Sequence, residues 1–386
     1  MKAIIQLLLR EIQKIGKDHS LLLVLMIAPV LYAFFYGSIY QYKEEEKVPL
    51  AIVDDDKTPL SQTLIDQIKK LQIANVYVVS NLEDAQEAMN QGDCVGYLYI
   101  ENGLQKKMQQ FKQANTVLAL NSSKFLPSND LAGGVTKVIL TVGAGVRLKY
   151  FNAKGLVTDV AMPEINPITA DYKPLHNERS SYGQFLLPGL IALILQQTLL
   201  LGLTTSIVGD KKGNEDILRI TRNPANYLVG LGSVYFFLFM LYAVFFFTIN
   251  FSLLEIPVKG SFLQLLLVTA FFIMTVIPFG VVIGTLFKSK LIGMQIMAFS
   301  TYPIFLVTGY TWPFSSLPII LQAFSSLLPT TPFLKIYIAI TQAGVSITEM
   351  PGIIIHLLIL CAVYTCLAII CINRSIFKSN RYFITN

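Results

Sequence analysis

From Ser20 to Tyr40 the chain carries no charged residue, and as a helix this stretch rises about 30 Å, enough to cross the hydrocarbon core of a bilayer. Its apolar run is longer than that of a secretory signal peptide and no small-residue cleavage site is evident, which predicts a retained transmembrane helix over 20–40. Ahead of it, Ile4, Leu7, Leu8, Ile12 and Ile15 recur at helical spacing while Arg10, Lys14 and Lys17 supply cations. That is the pattern of an interfacial amphipathic helix over 1–19; a basic tail that only sets topology is the other reading. About 140 mostly polar residues follow, and then apolar runs near 182–208, 227–254, 260–287, 291–310 and 353–372 predict five further spans within 182–372.

Charge orients these spans. The connecting pieces 1–19, 209–226, 288–290 and 373–386 hold 13 of the 15 Lys and Arg outside the polar insert, leaving Lys259 and Lys335 on the other side. The positive-inside rule therefore puts both termini, including the tail 373–386, in the cytoplasm and the insert over 43–181 outside. The expected fold is an α-helical integral membrane protein with six transmembrane helices and an inserted extracytoplasmic α/β domain. Hydrophobic residues at 53% and charged residues at 14% agree with it. The net charge of +6 does not indicate nucleic acid, because the cations sit at membrane edges and the insert is close to neutral.

Within the insert, Val48–Asp56 reads as a strand ending in an acidic turn, and Thr58 with Pro59 begins a helix. Strands at 75–80 and 95–100 alternate with a helix at 82–92, which predicts a small, partly parallel sheet; 116–123 could add a strand, and 129–151 suits a helix. The chain then returns to the membrane through Asn166, Pro167, Pro174 and His176.

Asp54, Asp55 and Asp56 invite a metal or acid-base assignment, but carboxylates at a strand end also accept the free N–H groups of a helix start. The turn is the preferred reading. Cys94 stands alone in the insert, so a free thiol or an intermolecular bond are its options. Cys361, Cys366 and Cys371 are scattered around a helix by their five-residue spacing and read as small hydrophobes. His176 has no neighbouring ligand and no serine has a nucleophile elbow, so the insert reads as a docking module rather than an enzyme.

Between the second and third spans lies a charged segment, 209–226, whose Ile217, Leu218 and Ile220 give a short helix an apolar side suited to a groove on another protein. Toward the end, 309–339 is apolar yet interrupted by Pro313, Pro318, Pro329 and Pro332, which breaks any single span and predicts short helices dipping partway into the bilayer. Their free backbone groups then need protein or water partners.

These segments, in this order, resemble the permease subunits of the ABC-2 transporter family, in particular the subgroup with a large extracytoplasmic domain between the first two spans. The charged loop offers Asp210, Lys211, Lys212, Gly213, Asn214, Asp216, Leu218 and Pro224 against the family's acid, basic, Gly, Thr, Glu, Leu and Thr-Pro pattern. Asp210 and Asp216 replace longer acids, Asn214 replaces Thr, and Pro224 comes about two residues late. The insert opens with Leu50–Leu64, LAIVDDDKTPLSQTL, as the subgroup's does, and Gly309, Pro313, Leu317, Pro318, Pro329 and Thr330 match the stretch before the last span.

The resemblance implies an ABC-2, type V exporter-like permease architecture in the bacterial inner membrane. It implies that Asp210, Lys211, Lys212, Gly213, Asp216, Leu218 and Pro224 couple to an ATPase. It further implies that 311–335 is re-entrant, with Gly309, Trp312, Pro313, Pro318 and Pro329 at an extracytoplasmic gate; Trp312 also suits an aromatic anchor. No GxxxxGK[ST] occurs in the chain, so ATP and Mg are expected on a separate nucleotide-binding subunit and no cofactor in this one. A second permease copy or a related permease is implied, with a periplasmic adaptor and outer-membrane channel as further candidates in a cell with two membranes. The implied cargo is a drug, lipid or other hydrophobic compound. The aromatic row 235–247 suits an amphipathic molecule or plain lipid contact, and no ionisable residue falls inside the spans as drawn. A non-transporting receptor or scaffold is the alternative reading.

Overall fold

The computed structural model describes residues 1–39, 47–166, 175–177, 181–213 and 215–377. Asn214, Pro167, Pro174 and the tail beyond 377, named above, lie outside these. The chain divides into two units, Met1–Gln41 with Pro174–Asn386, and Tyr42–Lys173.

The first unit begins with α1 (Lys2–Lys17) and α2 (His19–Ile39). Asp18 ends one and starts the other: its carboxylate accepts the backbone N–H of Ser20 at 3.0 Å and of Leu21 at 3.3 Å, capping α2.

The second unit is built on a four-stranded sheet of order β2-β1-β3-β4, in which β1 (Val48–Asp54) pairs parallel with both β2 (Ala74–Val79) and β3 (Gly96–Ile100). β4 (Thr116–Leu120) closes the edge antiparallel to β3. A central strand covered on both faces needs apolar side chains in both directions. Accordingly Leu50 and Ile52 meet Leu64, Ile65 and Ile68 of α3 (Pro59–Lys69), while Ala51 and Val53 meet Ala85 of α4 (Leu82–Gln91) and Cys94. Thr58 caps α3 in a reciprocal box with Ser61, with Pro59 in the first turn as the sequence indicates. The short α5 (Leu104–Gln109), the long α6 (Phe125–Ala153) and α7 (Thr158–Ile165) complete the unit. α6 is long and apolar enough to span a membrane, yet its Leu131 and Val135 are fully buried in the core against the sheet.

The first unit resumes with α8 (Tyr182–Lys212), α9 (Glu215–Ile220), α10 (Pro224–Leu253), α11 (Phe262–Leu286) and α12 (Lys290–Val307). A bent pair follows, α13 (Ile319–Ser326) and α14 (Thr330–Ala343), turned 85° from each other, and then α15 (Pro351–Phe377). α2, α8, α10, α11, α12 and α15 are long and apolar enough to cross a bilayer and coincide, within a few residues, with the six runs read from the sequence. α8 is the axis of the unit, buried along nearly its whole length, and it runs four residues past the expected end of its span. The segment expected as a loop from 209 therefore starts as helix and leaves it only at Gly213.

Four prolines sit inside spans, Pro29, Pro188, Pro278 and Pro303, and each frees the carbonyl four residues earlier. For the first three another element supplies a donor. The Tyr242 hydroxyl donates to Leu25 O at 2.7 Å below Pro29, beside the π-helical turn Leu23–Ile27. Gln342 Nε2 donates to Gln184 O at 3.2 Å below Pro188, and the Cys361 thiol lies 3.8 Å from Met274 O below Pro278.

Candidate functional site

Two polar constructions sit at opposite ends of α8. Phe185 and Asp210, which mark them, are separated by about 37 Å of helix.

At the α1 end the inward face of α1 is not apolar throughout: Leu7 and Ile15 are buried, and Glu11 is buried between them. Asp210 of α8, 1% exposed, accepts from Arg10 at 2.9 Å, from Lys14 Nζ at 2.7 Å and from the Tyr227 hydroxyl at 2.6 Å. Lys14 Nζ also donates to the carbonyl and hydroxyl oxygens of Ser206, at 2.8 and 2.7 Å. Glu11 in turn accepts from the Ser206 hydroxyl and from Tyr235 at 3.1 Å, with Lys14 Nζ 3.5 Å from its second oxygen. Two cations and two carboxylates cancel, which is the condition for burying charge at a membrane edge. One turn away, Lys290 pairs with Asp18 at 2.8 Å. Burial opposes the Asp18 charge, yet the Lys290 ammonium and the two capping N–H groups hold its carboxyl below the ordinary range.

This corrects three sequence expectations. Asp210, expected in a loop, lies in the continuous helix α8 two residues past the expected end of the second span, and it is buried. Arg10 and Lys14 spend their charge on α8 rather than on the lipid surface. Third, Ile217 is fully buried and Ile220 packs on the same core, so the apolar side of α9 is used within the chain. Exposed on the outside of α9 are Glu215, Asp216 and Arg219, with Lys212 and Gly213 just before it. Leu218 is half-buried, Pro224 opens α10, and Lys211 Nζ caps the end of α11 through Thr285 O and Phe287 O at 2.6 and 2.8 Å. The residues expected to couple thus separate into an exposed set, Lys212, Gly213 and Asp216, and an anchoring set, Asp210 and Lys211.

At the other end, Gly309 adopts φ +83°, a left-handed turn that costs a side chain energy and glycine little. It delivers Tyr310 to α8, where the hydroxyl bonds Phe185 O and receives the N–H of Gly189 at 3.3 Å. A side chain has entered the helix ladder, next to Pro188. Only glycine permits this at 189, since a Cβ there would stand 2.5 Å from the Tyr310 ring. Pro313, Pro318 and Pro329 each stand at the start of a short helical piece, Phe314–Ser316, α13 and α14. Trp312 is 59% exposed, and Lys335 lies 4.3 Å over the Phe314 ring.

The break between α13 and α14 takes carbonyls out of the regular helical ladder, and side chains reach them; Ser325 O also receives the N–H of Leu328 at 3.0 Å. Thr331 Oγ1 donates to Ser325 O at 2.7 Å, His356 Nε2 lies 2.8 Å from Ser326 O, and the Tyr364 hydroxyl donates to Leu327 O at 2.6 Å. Ser325 Oγ returns to Val307 O at 2.7 Å, and Thr330 bonds the buried Gln196 of α8. Sequence reasoning found Gly309 and the prolines but missed Tyr310, Gln196, His356 and Tyr364. Their signal was present: polar groups in apolar helices within reach of a broken backbone.

In the insert each member of the acidic trio accepts hydrogen bonds from neighbouring groups. Asp54 accepts from the N–H of Asp56 and Lys57 and from Ser61, Asp55 from Tyr99 at 2.9 Å, and Asp56 from Thr58 and from Gly103 N and Gln105 N at 2.7 and 3.1 Å. Asp56 therefore serves the start of α5, not that of the next helix. Burial opposes its charge, but the Thr58 hydroxyl and the α5 N–H groups hold it below the ordinary carboxylate range. Cys94, 1% exposed between strand and helix, is a free buried thiol and is out of reach of an intermolecular bond while the domain stays folded. In the row 235–247, Tyr235, Phe239, Tyr242, Phe246 and Phe247 are core residues, while Phe237 and Leu241 face outward. Among the described residues no group of His, Cys, Asp and Glu could hold a metal ion.

The family described as ABC-2 family transporter protein matches residues 19–370. The chain is 23% identical to the linearmycin resistance permease protein LnrN of Bacillus subtilis, over 92% of this chain and 94% of that protein. It is 18% identical to the probable multidrug ABC transporter permease YbhS of Escherichia coli, over 88% of each. A further relative, ABC transporter G family member 20 of Dictyostelium discoideum, is 23% identical over 74% of this chain and 39% of that protein.

Proposed function

Because the chain belongs to the ABC-2 transporter family and is a multi-pass membrane permease subunit rather than an enzyme, we propose that it exports a hydrophobic or amphipathic compound, driven by ATPase subunits that press on α9. The names of LnrN and YbhS, a resistance and a multidrug permease, support that class of cargo. The chain works with a nucleotide-binding partner, and the finer assembly is part of this proposal: two permease copies, both termini cytoplasmic, one ATPase beneath each α9. An adaptor and outer-membrane channel would dock on the insert.

One observation carries the coupling role. α9 shows its charged side to solvent while Ile217 roots it in the bundle, and its flanks, Asp210 and Tyr227, are joined by a hydrogen bond and share Asp210 with α1. A push on Glu215–Arg219 reaches α8, α10 and α1 together. At the far end of α8 the same motion meets Tyr310 and the α13–α14 break, which we assign as the re-entrant outer gate containing Gly309, Trp312, Pro313, Pro318 and Pro329.

The test is G213L/D216K. No atom lies within 4 Å of a Cβ at Gly213, and Asp216 is exposed, so the variant should insert and fold normally. Its copurification with the ATPase, and nucleotide-driven export, should both fall. Unaltered ATPase stimulation and export would remove α9 from the coupling role. Copurification of no P-loop ATPase with the native chain would favour the receptor reading.

A further inference from the structure

The insert contains a cavity of about 580 Å³ that none of its turn bonds or its sheet explains. Its walls come from α3, α5, α6, the start of β4 and the end of α7, with Leu64, Met108, Ile139 and Val142 among the apolar groups. Pockets of roughly 300–1,000 Å³ with apolar walls and a few polar groups are the usual size for a small-molecule site. Its two ionisable lining residues are Lys112 and Arg147. Neither has an ion-pair partner among the described residues, and no Asp or Glu joins them in the lining. This one-sided charge contrasts with a domain that carries slightly more acids than bases. At Gly143 an added Cβ would meet nothing closer than Met108 Cε at 4.0 Å, so the helix opens into the void there.

An apolar chamber with two unpaired exposed cations fits one kind of occupant. We propose that the extracytoplasmic domain binds an amphiphile with an acyl-like tail and a single acidic head, the tail among Leu64, Met108, Ile139 and Val142 and the head on Lys112 and Arg147. A neutral amphiphile would leave both cations unused, and a cationic one would be repelled. The proposal rests on the export reading only in identifying this ligand with the transported class; the binding itself needs neither ATPase nor nucleotide.

The full chain in nanodiscs, without nucleotide, is titrated with a dansyl-labelled undecanoate and with the matched alcohol. Saturable binding is expected to be tighter for the acid. K112Q/R147Q should weaken the acid about ten-fold, equivalent to one charge-assisted contact, and leave the alcohol unchanged. G143L, which fills the chamber and replaces glycine by a better helix former, should weaken both ligands. A diazirine analogue of the acid should label peptides of α5 and α6. Equal affinity for acid and alcohol, or binding indifferent to G143L, overturns the site, as does labelling confined to the membrane spans. Selective acid binding by a chain that recruits no ATPase sinks the export reading alone; loss of selective binding with intact ATPase coupling sinks the site alone.

Discussion

The two ends of α8 solve the same physical problem with different chemistry. At the α1 end, Glu11 and Asp210 are buried against the half-buried Arg10 and Lys14, charges that cancel; at the other, the neutral hydroxyls of Tyr364, Thr331 and Tyr310, with the His356 ring, bond backbone oxygens at helix breaks. Buried charges are stable only as a complete set, because a single deletion leaves its partner unpaired in low dielectric. Neutral bonds are nearly independent, and each can be lost at the cost of one carbonyl. The first arrangement is kept or lost as a whole, whereas the second can be lost one bond at a time.

The comparison breaks most directly at Asp210. D210L leaves Arg10 and Lys14 facing an apolar side chain, and the loss should be about 3 kcal/mol, reduced from the fully buried case because both cations keep some exposure. It should appear as a lower unfolding midpoint in detergent together with protease cleavage between α1 and α2. Adding K14M to D210L should recover part of that stability, since it removes one of the stranded charges; no recovery would show that the cluster does not act as a charge set.

A smaller effect is expected at the far end. Y364F and H356L each orphan one carbonyl, at about 1–3 kcal/mol apiece, and their combination should be close to additive. Faster hydrogen exchange confined to residues 325–331 is the readout, and strong coupling between the two would contradict the independence argued here.

The smallest effect is a pH dependence restricted to the charged end. The folded carboxyl of Asp18 is held below its ordinary value, so its contribution is fully present above about pH 3.9, the unfolded value, and fades as pH falls through the folded one. As a partly exposed pair with Lys290, it is worth under about 1 kcal/mol. D18N should flatten the acid limb of stability near pH 4 while leaving exchange at 325–331 unchanged.

Much of the architecture follows from short-range pattern. Uncharged runs of bilayer length mark the spans, Thr58–Pro59 marks a helix start, and the apolar β1 marks a strand covered on both faces. What pattern did not reveal is pairing across long separations. Asp210 looks like a loop residue until Arg10, some 200 positions earlier, is folded beside it. The apolar stripe of α9 looks like a docking surface until the bundle claims Ile217. In both cases the local residue types were informative about environment but silent about which partner supplies it. The bent pair α13–α14 was more legible because proline and glycine act on their own backbone, so Gly309, Pro318 and Pro329 announced the break directly.

The carbonyls freed by Pro29 and Pro188 carry a mechanical consequence. Gln342 of α14 meets the Gln184 oxygen alone, whereas the Tyr242 hydroxyl of α10 stands 2.7 Å from Leu25 O and 3.4 Å from Met26 O, the next carbonyl along. The two joints therefore respond differently to sliding by one residue, about 1.5 Å along the axis: at Gln184 it strips the oxygen of its donor in an apolar surrounding, while at Leu25 the hydroxyl has a second oxygen within reach. α8 is thereby pinned to α14 more tightly than α2 is to α10, with the prolines setting where each joint lies.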